Sequence, residues 1–384
     1  MSEWKKVKLG DVCERVTSGG TPKANITSYY NPPTVPWLKT KEVNYCRITE
    51  TENYISEEGL ANSSAKLIAP NSVIIAMYGQ GDTAGRVAIN KIPLTTNQAC
   101  CNLTIDESKA DYEFIYYQLC TLYKKMVSLK AGAAQPNLNA QIIKNLEIKL
   151  PSLLIQHRIA TILSRYDSLI ENYQKQIKLL EEAAQRLYKE WFVDLHFPGH
   201  ENTRIVDGVP EGWTPSKLGQ LAEFKRGKTI TRKEVIEGDV PVVAGGLEPA
   251  YFCNKSNTAE RVITVSGSGA NAGFTRMYFE KVWASDCSFV DASTTPFLHF
   301  VYCFLKDNKT IIDNLQKGAA QPHVYAKDIN SLEICVPSVS VLKSFEEKVS
   351  MYFDTIASLQ SQIRLLTEAR DRLLPKLMGG EIAV

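Results

Sequence analysis

The feature that most constrains this chain is a periodic apolar pattern across residues 152–194. Apolar residues recur there in steps of three and four, with one extra step of four between Tyr173 and Ile177. This spacing predicts a long helix with a coiled-coil seam, and the extra step is a stutter that locally unwinds a supercoil without ending it. Such a helix spans roughly 60 Å at about 1.5 Å per residue, too long to be buried in one domain. The pattern therefore requires a partner helix.

The partner is predicted in the same chain, because residues 338–376 repeat the three-four alternation. Two long helices with matching apolar seams are expected to pack side by side. The predicted coiled-coil core comprises Ile159, Ile162, Tyr166, Leu169, Tyr173, Ile177, Leu180 and Leu187 in the first helix, and Val349, Tyr352, Ile356, Leu359, Ile363 and Leu366 in the second.

Short strings also recur in the same order at a single offset, which indicates an internal duplication. We expect the repeated Gly-Ala-Ala-Gln-Pro string to form the turn that joins each domain to its helix. The recurring strings are Gly-Ala-Ala-Gln-Pro at 132–136 and 318–322, Leu-Glu-Ile at 146–148 and 332–334, and Gln-Ile-Lys-Leu-Leu at 176–180, which returns as Gln-Ile-Arg-Leu-Leu at 362–366.

Each copy reads as a mixed α/β domain followed by a long helix. Short β-like runs are separated by Gly, Pro and Asn turns, and residues 112–119 look helical. A duplicated domain joined to two long helices is typical of a protein that recognises two DNA sites separated by a distance that the helices set. The predicted boundaries are a first domain at 1–150, a central helix at 151–197, a linker at 198–212, a second domain at 213–337 and a C-terminal helix at 338–384.

Composition is compatible with two domains that each have their own core. The chain has 384 residues, 44% of them apolar, a net charge of +2 and nine scattered cysteines. No run of 18 apolar residues is present, and the first residues lack an apolar signal core. We therefore expect a cytoplasmic protein with reduced thiols.

Several strings imitate catalytic motifs without completing them. Asn31-Pro32-Pro33-Thr34 resembles the signature by which amino-methyltransferases hold a flipped base, but the aromatic fourth residue is absent. Gly227-Lys228-Thr229 ends like a phosphate-binding loop whose first glycine would fall at Ala222. His196 and His200 straddle Pro198-Gly199, so they need not share a helix face. The sequence predicts no catalytic residues, no metal site and no cofactor of its own.

Strings typical of one protein family occur at residues 17–22 with 35–37, 85–88 with 95–98, 156–163 and 373–382. Through them the chain resembles the specificity subunits of type I restriction–modification systems over essentially its whole length. The resemblance implies two target-recognition domains and two antiparallel structural helices that dock two modification subunits. Those subunits would carry S-adenosylmethionine and methylate adenine, and a restriction/motor subunit would join for cleavage. The second helix departs from the first, since residues 341–345 do not repeat the Gln-His-Arg-Ile of 156–159.

Candidate contacts to double-stranded DNA fall in two groups. Lysines and arginines are the natural partners of phosphates, and polar residues on glycine-rich hairpin turns can enter a major groove. The predicted phosphate contacts are Lys23, Lys39, Lys41, Lys225, Arg226, Lys228, Arg232 and Lys233, and the predicted hairpin residues are Tyr78, Gln80, Asp82, Thr83, Arg86, Ser266, Ser268, Asn271 and Arg276.

Two other functions remain open from the sequence. A stand-alone methyltransferase would need a cofactor site, and an assembly scaffold would bind partners while ignoring DNA sequence.

Overall fold

The computed structural model describes residues 4–130, 137–318 and 322–384. The chain divides into two compact units. Unit 1 comprises Met1–Glu171 and Arg364–Val384, and unit 2 comprises Asn172–Ile363. The predicted Gly-Ala-Ala-Gln-Pro turns lie outside the described residues, apart from Gly318 and Pro322.

The described residues of unit 1 form ten strands in three sheets. The sheet orders are β1-β10, β2-β9-β6-β7-β4 and β5-β3-β8, and only the β4–β7 and β3–β8 pairs are parallel. The strands are β1 (Lys5–Lys8), β2 (Cys13–Ser18), β3 (Val35–Leu38), β4 (Arg47–Ile48), β5 (Tyr54–Ile55), β6 (Val73–Ala76), β7 (Val87–Asn90), β8 (Thr95–Thr96), β9 (Cys100–Ile105) and β10 (Glu147–Leu150).

Short helices complete the globular part of unit 1. Strand β6 is apolar at every position because its two faces meet different cores. Val73 and Ile75 share one core with helix α2 (Tyr112–Thr121), while Ile74 shares the other with Leu38 and Leu94. The α-helices are α1 (Glu57–Ala61), α2 (Tyr112–Thr121), α3 (Tyr123–Ser128) and α4 (Ala140–Lys144), and 3-10 turns cover Leu9–Val12, Thr27–Tyr29 and Thr40–Glu42.

The first long helix, α5, runs from Leu153 to Tyr188 and continues as a π-helical turn, Lys189–Val193. It thus begins in unit 1 and ends in unit 2. The predicted helix at 151–197 extends a few residues further at each end than these bounds.

Unit 2 repeats the scheme of unit 1. Its sheets are β11-β12, β13-β21, β14-β20-β17-β18 and β16-β15-β19, and only β15–β19 is parallel. The strands are β11 (Ile205–Val206), β12 (Val209–Pro210), β13 (Thr214–Lys217), β14 (Lys225–Arg226), β15 (Val240–Val243), β16 (Tyr251–Cys253), β17 (Val262–Ser266), β18 (Thr275–Tyr278), β19 (Trp283–Ala284), β20 (Cys287–Asp291) and β21 (Glu333–Val336).

The helices of unit 2 are α6 (Leu218–Leu221), α7 (Leu298–Asp307), α8 (Lys309–Asn314), α9 (Ala326–Asn330) and the second long helix α10 (Val339–Gly379), with 3-10 turns at His200–Asn202 and Gly269–Asn271. The later helices of unit 2 follow the order of those in unit 1, whereas α6 takes the place of the 3-10 turn Leu9–Val12 and α1 has no α-helical counterpart among the described residues of unit 2.

The duplication is visible in individual backbone hydrogen bonds, although most side chains differ. The same three bonds fix the residue after β2 or β14, the glycine-rich hairpin, and the segment before α4 or α9. They are Gly19 N to Cys100 O, Gly85 N to Ala76 O and Leu138 N to Met77 O in unit 1, and Gly227 N to Cys287 O, Gly273 N to Ser266 O and Val324 N to Gly267 O in unit 2.

Within each unit the two long helices run antiparallel. In unit 1 the start of α5, with Ile159 and Leu163, shares a core with Leu377 near the end of α10. In unit 2 the end of α5, with Tyr188, shares a core with Leu342 and Phe345 at the start of α10.

The predicted coiled-coil core is buried or partly buried at every position except Leu169. That residue is 42% exposed, so its assignment to the core was wrong. The helix instead turns Ile170 and the carboxylate of Asp167 inward. The apolar pattern also missed Leu163, and in α10 it missed Phe353, which is 1% exposed.

Asp167 is held on the inner face by an ionic cluster within unit 1. Its carboxylate accepts hydrogen bonds from Arg47 Nη1 at 3.0 Å, Arg370 Nη1 at 2.7 Å and the Tyr117 hydroxyl at 2.5 Å. Arg47 also donates to Glu113. Burial acts to lower the pKa of Arg47, but these acceptors outweigh it and raise that pKa above its ordinary value. The cluster joins strand β4 and helix α2 to both long helices.

We expect Asp167→Asn to destabilise the chain by about 3–5 kcal/mol, because it leaves part of a buried cationic cluster without its counter-charge. The side chains of Asp167 and Arg47 are only 7% and 6% exposed. Urea unfolding of the purified chain measures the effect as a lower midpoint. Asp354→Asn is the matched control, since Asp354 pairs with Arg261 on the surface and such pairs contribute at most about 1 kcal/mol. Equal losses in the two variants would contradict the account.

Candidate DNA interface

Both glycine-rich segments form the hairpin turns that the sequence predicted. Residues 79–85 join the antiparallel strands β6 and β7, and residues 267–273 join β17 and β18. Gly81, Gly85, Gly269 and Gly273 have positive φ angles, a conformation that favours glycine. The two turns occupy equivalent places in the two units.

In the first hairpin, Arg86, Asp82 and Thr83 are engaged in hydrogen bonds within the loop or to its neighbours. Arg86 donates to Asp82 and to Asn44 Oδ1, the latter at 2.9 Å. The hydrogen bond between Arg86 and Asp82 lowers the pKa of the Asp82 carboxyl and raises that of Arg86. Thr83 Oγ1 donates to the Gln80 carbonyl, and the Tyr123 hydroxyl to the Asp82 carbonyl. Arg86 therefore stiffens the loop and leaves the exposed Gln80 at its tip.

Tyr78 is partly buried at the base of this hairpin. Sequence reasoning missed Tyr45, which lies beside Tyr123 with ring centroids 6.4 Å apart. Tyr45 is 39% exposed, has a φ of 53° and forms a backbone hydrogen bond to Val87. Partial burial raises the pKa of its phenol to about 12. A single residue in a left-handed conformation adds nothing to the apolar periodicity of a sequence, so Tyr45 could not be predicted from that pattern.

In the second hairpin, the predicted position of Ser266 at an exposed tip was wrong. Ser266 is 3% exposed, because it is the last residue of the fully buried strand β17, and its hydroxyl donates to the Gly245 carbonyl at 3.2 Å. Ser268 donates to Asp286, and Asn271 donates to the same Gly245 carbonyl. The turn is thus tied to the loop at 244–250.

Arg276 also lies outside the turn that was predicted to hold it. It is on strand β18, where Nη1 donates to the Leu247 carbonyl at 2.8 Å and to Glu248 at 3.2 Å. Its guanidinium lies 4.9 Å from the ring centre of Tyr278. Arg86 and Arg276 are therefore not equivalent residues, although each fixes a loop beside its hairpin.

The predicted phosphate contacts of unit 2 form a continuous exposed basic segment. Lys225 and Arg226 are on β14, and Lys228, Arg232 and Lys233 follow in the next loop. Within the described part of the chain, none of these five side chains has a hydrogen bond or an ion pair. Their charges are available to a partner from outside.

The predicted phosphate contacts of unit 1 are fewer and mostly paired. Lys23 is exposed, Lys41 forms an ion pair with Glu52, and Lys39 Nζ donates to Asn53 Oδ1 at 2.9 Å. The predicted phosphate contacts of unit 1 therefore carry less unpaired positive charge than those of unit 2.

A close backbone approach fixes the chain just after β2 in unit 1 and just after β14 in unit 2. A Cβ atom on Gly19 would lie 2.2 Å from the carbonyl oxygens of Thr96 and Asn97, and one on Gly227 would lie 2.3 Å from that of Ser285. Such distances are below any real Cβ contact, so both positions require glycine.

We predict that Gly19→Ala and Gly227→Ala each destabilise the chain by at least about 1–3 kcal/mol, since a forced side chain must displace backbone. The midpoint of urea unfolding measures this. Gly246→Ala is the control, because its Cβ would come no closer than 3.3 Å to another atom, the Glu248 carbonyl oxygen. A Gly227→Ala midpoint equal to that of Gly246→Ala would show that the segment is not held as described.

Among residues 4–130, 137–318 and 322–384 there is no group of three or more His, Cys, Asp or Glu side chains that could hold a metal ion. His196 and His200 have ring centroids 5.4 Å apart, and His200 Nδ1 is engaged by the Phe197 carbonyl. No described helix is both long and apolar enough to cross a membrane.

Comparison with known proteins defines the class. The family model described as the type I restriction modification DNA specificity domain matches residues 1–182 and again residues 210–365. The chain belongs to this family, and the two matches confirm the internal duplication.

The relatives are specificity subunits. The type I restriction enzyme MjaIX specificity subunit of Methanocaldococcus jannaschii is 29% identical, covering 100% of this chain and 94% of that protein. A putative type I specificity subunit of Mycoplasma pneumoniae is 26% identical over 77% of this chain and 80% of its own length. The crystal structure of the type I S subunit from M. genitalium aligns with a TM-score of 0.61 and 20% identity, covering 97% and 96% of the two chains. The predicted fold class is confirmed, and the relatives named here are type I specificity subunits.

Proposed function

We propose that this chain is the DNA-recognition subunit of a type I restriction–modification complex and reads a two-part target, one half with each unit. The observation that carries the proposal is that both units keep the same hydrogen-bonded framework while the exposed residues on its loops differ. In the first hairpin Gln80 lies at the tip, whereas in the second Asn271 is tied to Gly245. A shared framework with different loops is what two separate readers of different half-sites require.

The long helices supply the surface for the partners. Each long helix exposes large apolar side chains that a docked protein would cover. We propose that two modification subunits dock there, carry S-adenosylmethionine and methylate the target, and that restriction/motor subunits join them in the cytoplasm. The exposed residues are Leu154 at 61%, Leu179 at 63%, Met351 at 66% and Leu365 at 58%.

The first test is reconstitution of methyl transfer. We predict that the purified chain alone transfers no methyl group from labelled S-adenosylmethionine to duplex DNA, and that adding its modification subunits produces sequence-specific transfer. Binding with excess random DNA as competitor separates a reader from a scaffold, since a scaffold would show no preference for the target. Methyl transfer by the chain in a preparation free of partners would refute the proposed division of labour.

A further inference from the structure

One buried tryptophan in each unit holds the backbone of the segment that carries the predicted phosphate contacts. Trp37 Nε1 donates to the carbonyl oxygen of Gly20 at 3.1 Å, and Trp283 Nε1 donates to that of Lys228 at 2.7 Å. The two carbonyls are equivalent, because Gly20 N bonds to Thr96 O and Lys228 N bonds to Ala284 O at matching places in the two frameworks. The same hydrogen bond is therefore made in both units.

The two tryptophans come from different strands. Trp37 is on β3 and pairs with Thr95 of β8, whereas Trp283 is on β19 and pairs with Val242 of β15. Since β3 corresponds to β15 and β8 to β19, the indole has changed strands while its hydrogen bond has stayed. A residue merely left over from duplication would occupy the same strand in both copies. The two units therefore share the hydrogen bond to this backbone carbonyl oxygen, and not the position of the tryptophan that donates it.

A lysine ammonium lies over each of these indoles. Lys39 Nζ is 5.0 Å from the ring centre of Trp37, and Lys255 Nζ is 5.1 Å from that of Trp283. These distances are within the range of cation–π attraction, which orients an ammonium group without neutralising its charge. The two lysines again come from unrelated places, since Lys39 follows β3 and Lys255 follows β16. Neither side chain forms an ion pair within the described residues, although Lys39 Nζ also donates to Asn53 Oδ1 at 2.9 Å.

The carboxylates beside these lysines bind backbone N–H and hydroxyl groups rather than the ammonium groups. Glu234, whose pKa is lowered by hydrogen bonds from the Thr231 backbone and hydroxyl, has its Oε2 engaged there at 2.8 Å. Glu42 accepts from the backbone N–H groups of Lys39 and Glu52 at 2.9 Å. Each unit thus has an oriented ammonium group beside a backbone segment of fixed position.

We propose that Lys39 and Lys255 are equivalent contacts to backbone phosphates of duplex DNA, one in each unit, and that Trp37 and Trp283 are their positioning residues. This inference rests on the proposed function and adds a division of roles: these lysines supply affinity that is independent of sequence, while the hairpins supply selectivity. A phosphate contact is the same at every sequence, which explains why two units with different reading loops have the same device.

The test measures binding of the assembled complex to its target duplex and to a random duplex between about 50 and 200 mM salt. We expect Lys39→Gln and Lys255→Gln each to reduce the slope of log K against log salt by about 0.9, and the double variant by about 1.8. Affinity for target and random DNA should fall by the same factor, with the methylated sequence unchanged. Lys109→Gln is the control, because this exposed lysine follows the far end of β9 from Gly19.

Two results would overturn the inference: slopes equal to that of Lys109→Gln, or a loss confined to the target duplex, which would make the lysines base readers. A complex that binds target and random DNA equally well before any substitution would instead refute the proposed function. For the positioning role, Trp283→Phe should reduce the slope, and Trp283→Phe with Lys255→Gln should reduce it no further than Lys255→Gln alone. Additive reductions in a variant with an unchanged melting midpoint would refute that role.

Discussion

Exchanging residues 1–150 for the matching domain of a relative is expected to change one half of the methylated sequence completely and to leave the other half intact. The physical reason is that unit 1 has its own sheets and its own apolar core, separate from the core of unit 2. Methylation mapping in cells that carry the hybrid subunit measures both half-sites at once. The reciprocal exchange of residues 213–337 is the matched control and should change only the other half.

The ionic cluster around Asp167 dictates how the hybrid must be built. Arg47, Glu113 and Tyr117 lie inside the exchanged segment, whereas Asp167 and Arg370 lie outside it. A donor domain without an arginine at the place of Arg47 would leave the buried carboxylate short of a partner and lose stability. The hybrid should therefore retain these three residues. A folded hybrid in which both half-sites change together would show that the two readers are not independent.

Lengthening both long helices by four residues is expected to add one or two base pairs to the unread spacer and to leave both half-site sequences unchanged. Four residues add about 6 Å and slightly more than one helical turn. The DNA rises about 3.4 Å per base pair and turns once in about 10 base pairs. The seam tolerates the change, because a four-residue insertion is a stutter. Methylation mapping of the variant gives the spacer directly.

The insertions belong where the compact units divide each helix, after Glu171 in α5 and after Ile363 in α10. Lengthening α5 alone would misalign it with α10, since the helices run antiparallel within each unit. Four added Gly/Ser residues after Thr203, at the end of the 3-10 turn in the linker, are the control and should leave the spacer unchanged. An active enzyme with lengthened helices and an unchanged spacer would show that the helices do not set the distance.

Much of the architecture could be predicted because it follows from local sequence patterns. The three-four alternation predicted both long helices, and the repeated strings predicted the duplication. The glycines at 79–85 and 267–273 predicted two hairpins, since such turns need residues that tolerate positive φ. Each of these features depends on residues close together in sequence.

The details of the site could not be predicted, because they depend on partners far away in sequence. The apolar alternation placed Leu169 in the core, yet the buried residue nearby is Asp167, which is stabilised by Arg47 and Arg370. The indole bonds of Trp37 and Trp283 were missed, since the two residues lie in unrelated strings. Ser266 was misplaced because the end of a strand and the start of its turn look alike in a sequence.

The central claim is that this chain determines which DNA sequence is methylated. Mapping methylated adenines across the genome of the host, with the gene present, deleted and restored, tests it most directly. We predict one two-part motif with an unread spacer of about 5 to 8 base pairs, consistent with half-sites about one turn of DNA apart, that disappears on deletion and returns on restoration. A methylation pattern that does not change when the gene is deleted, although the partner subunits are expressed and active, would contradict the claim.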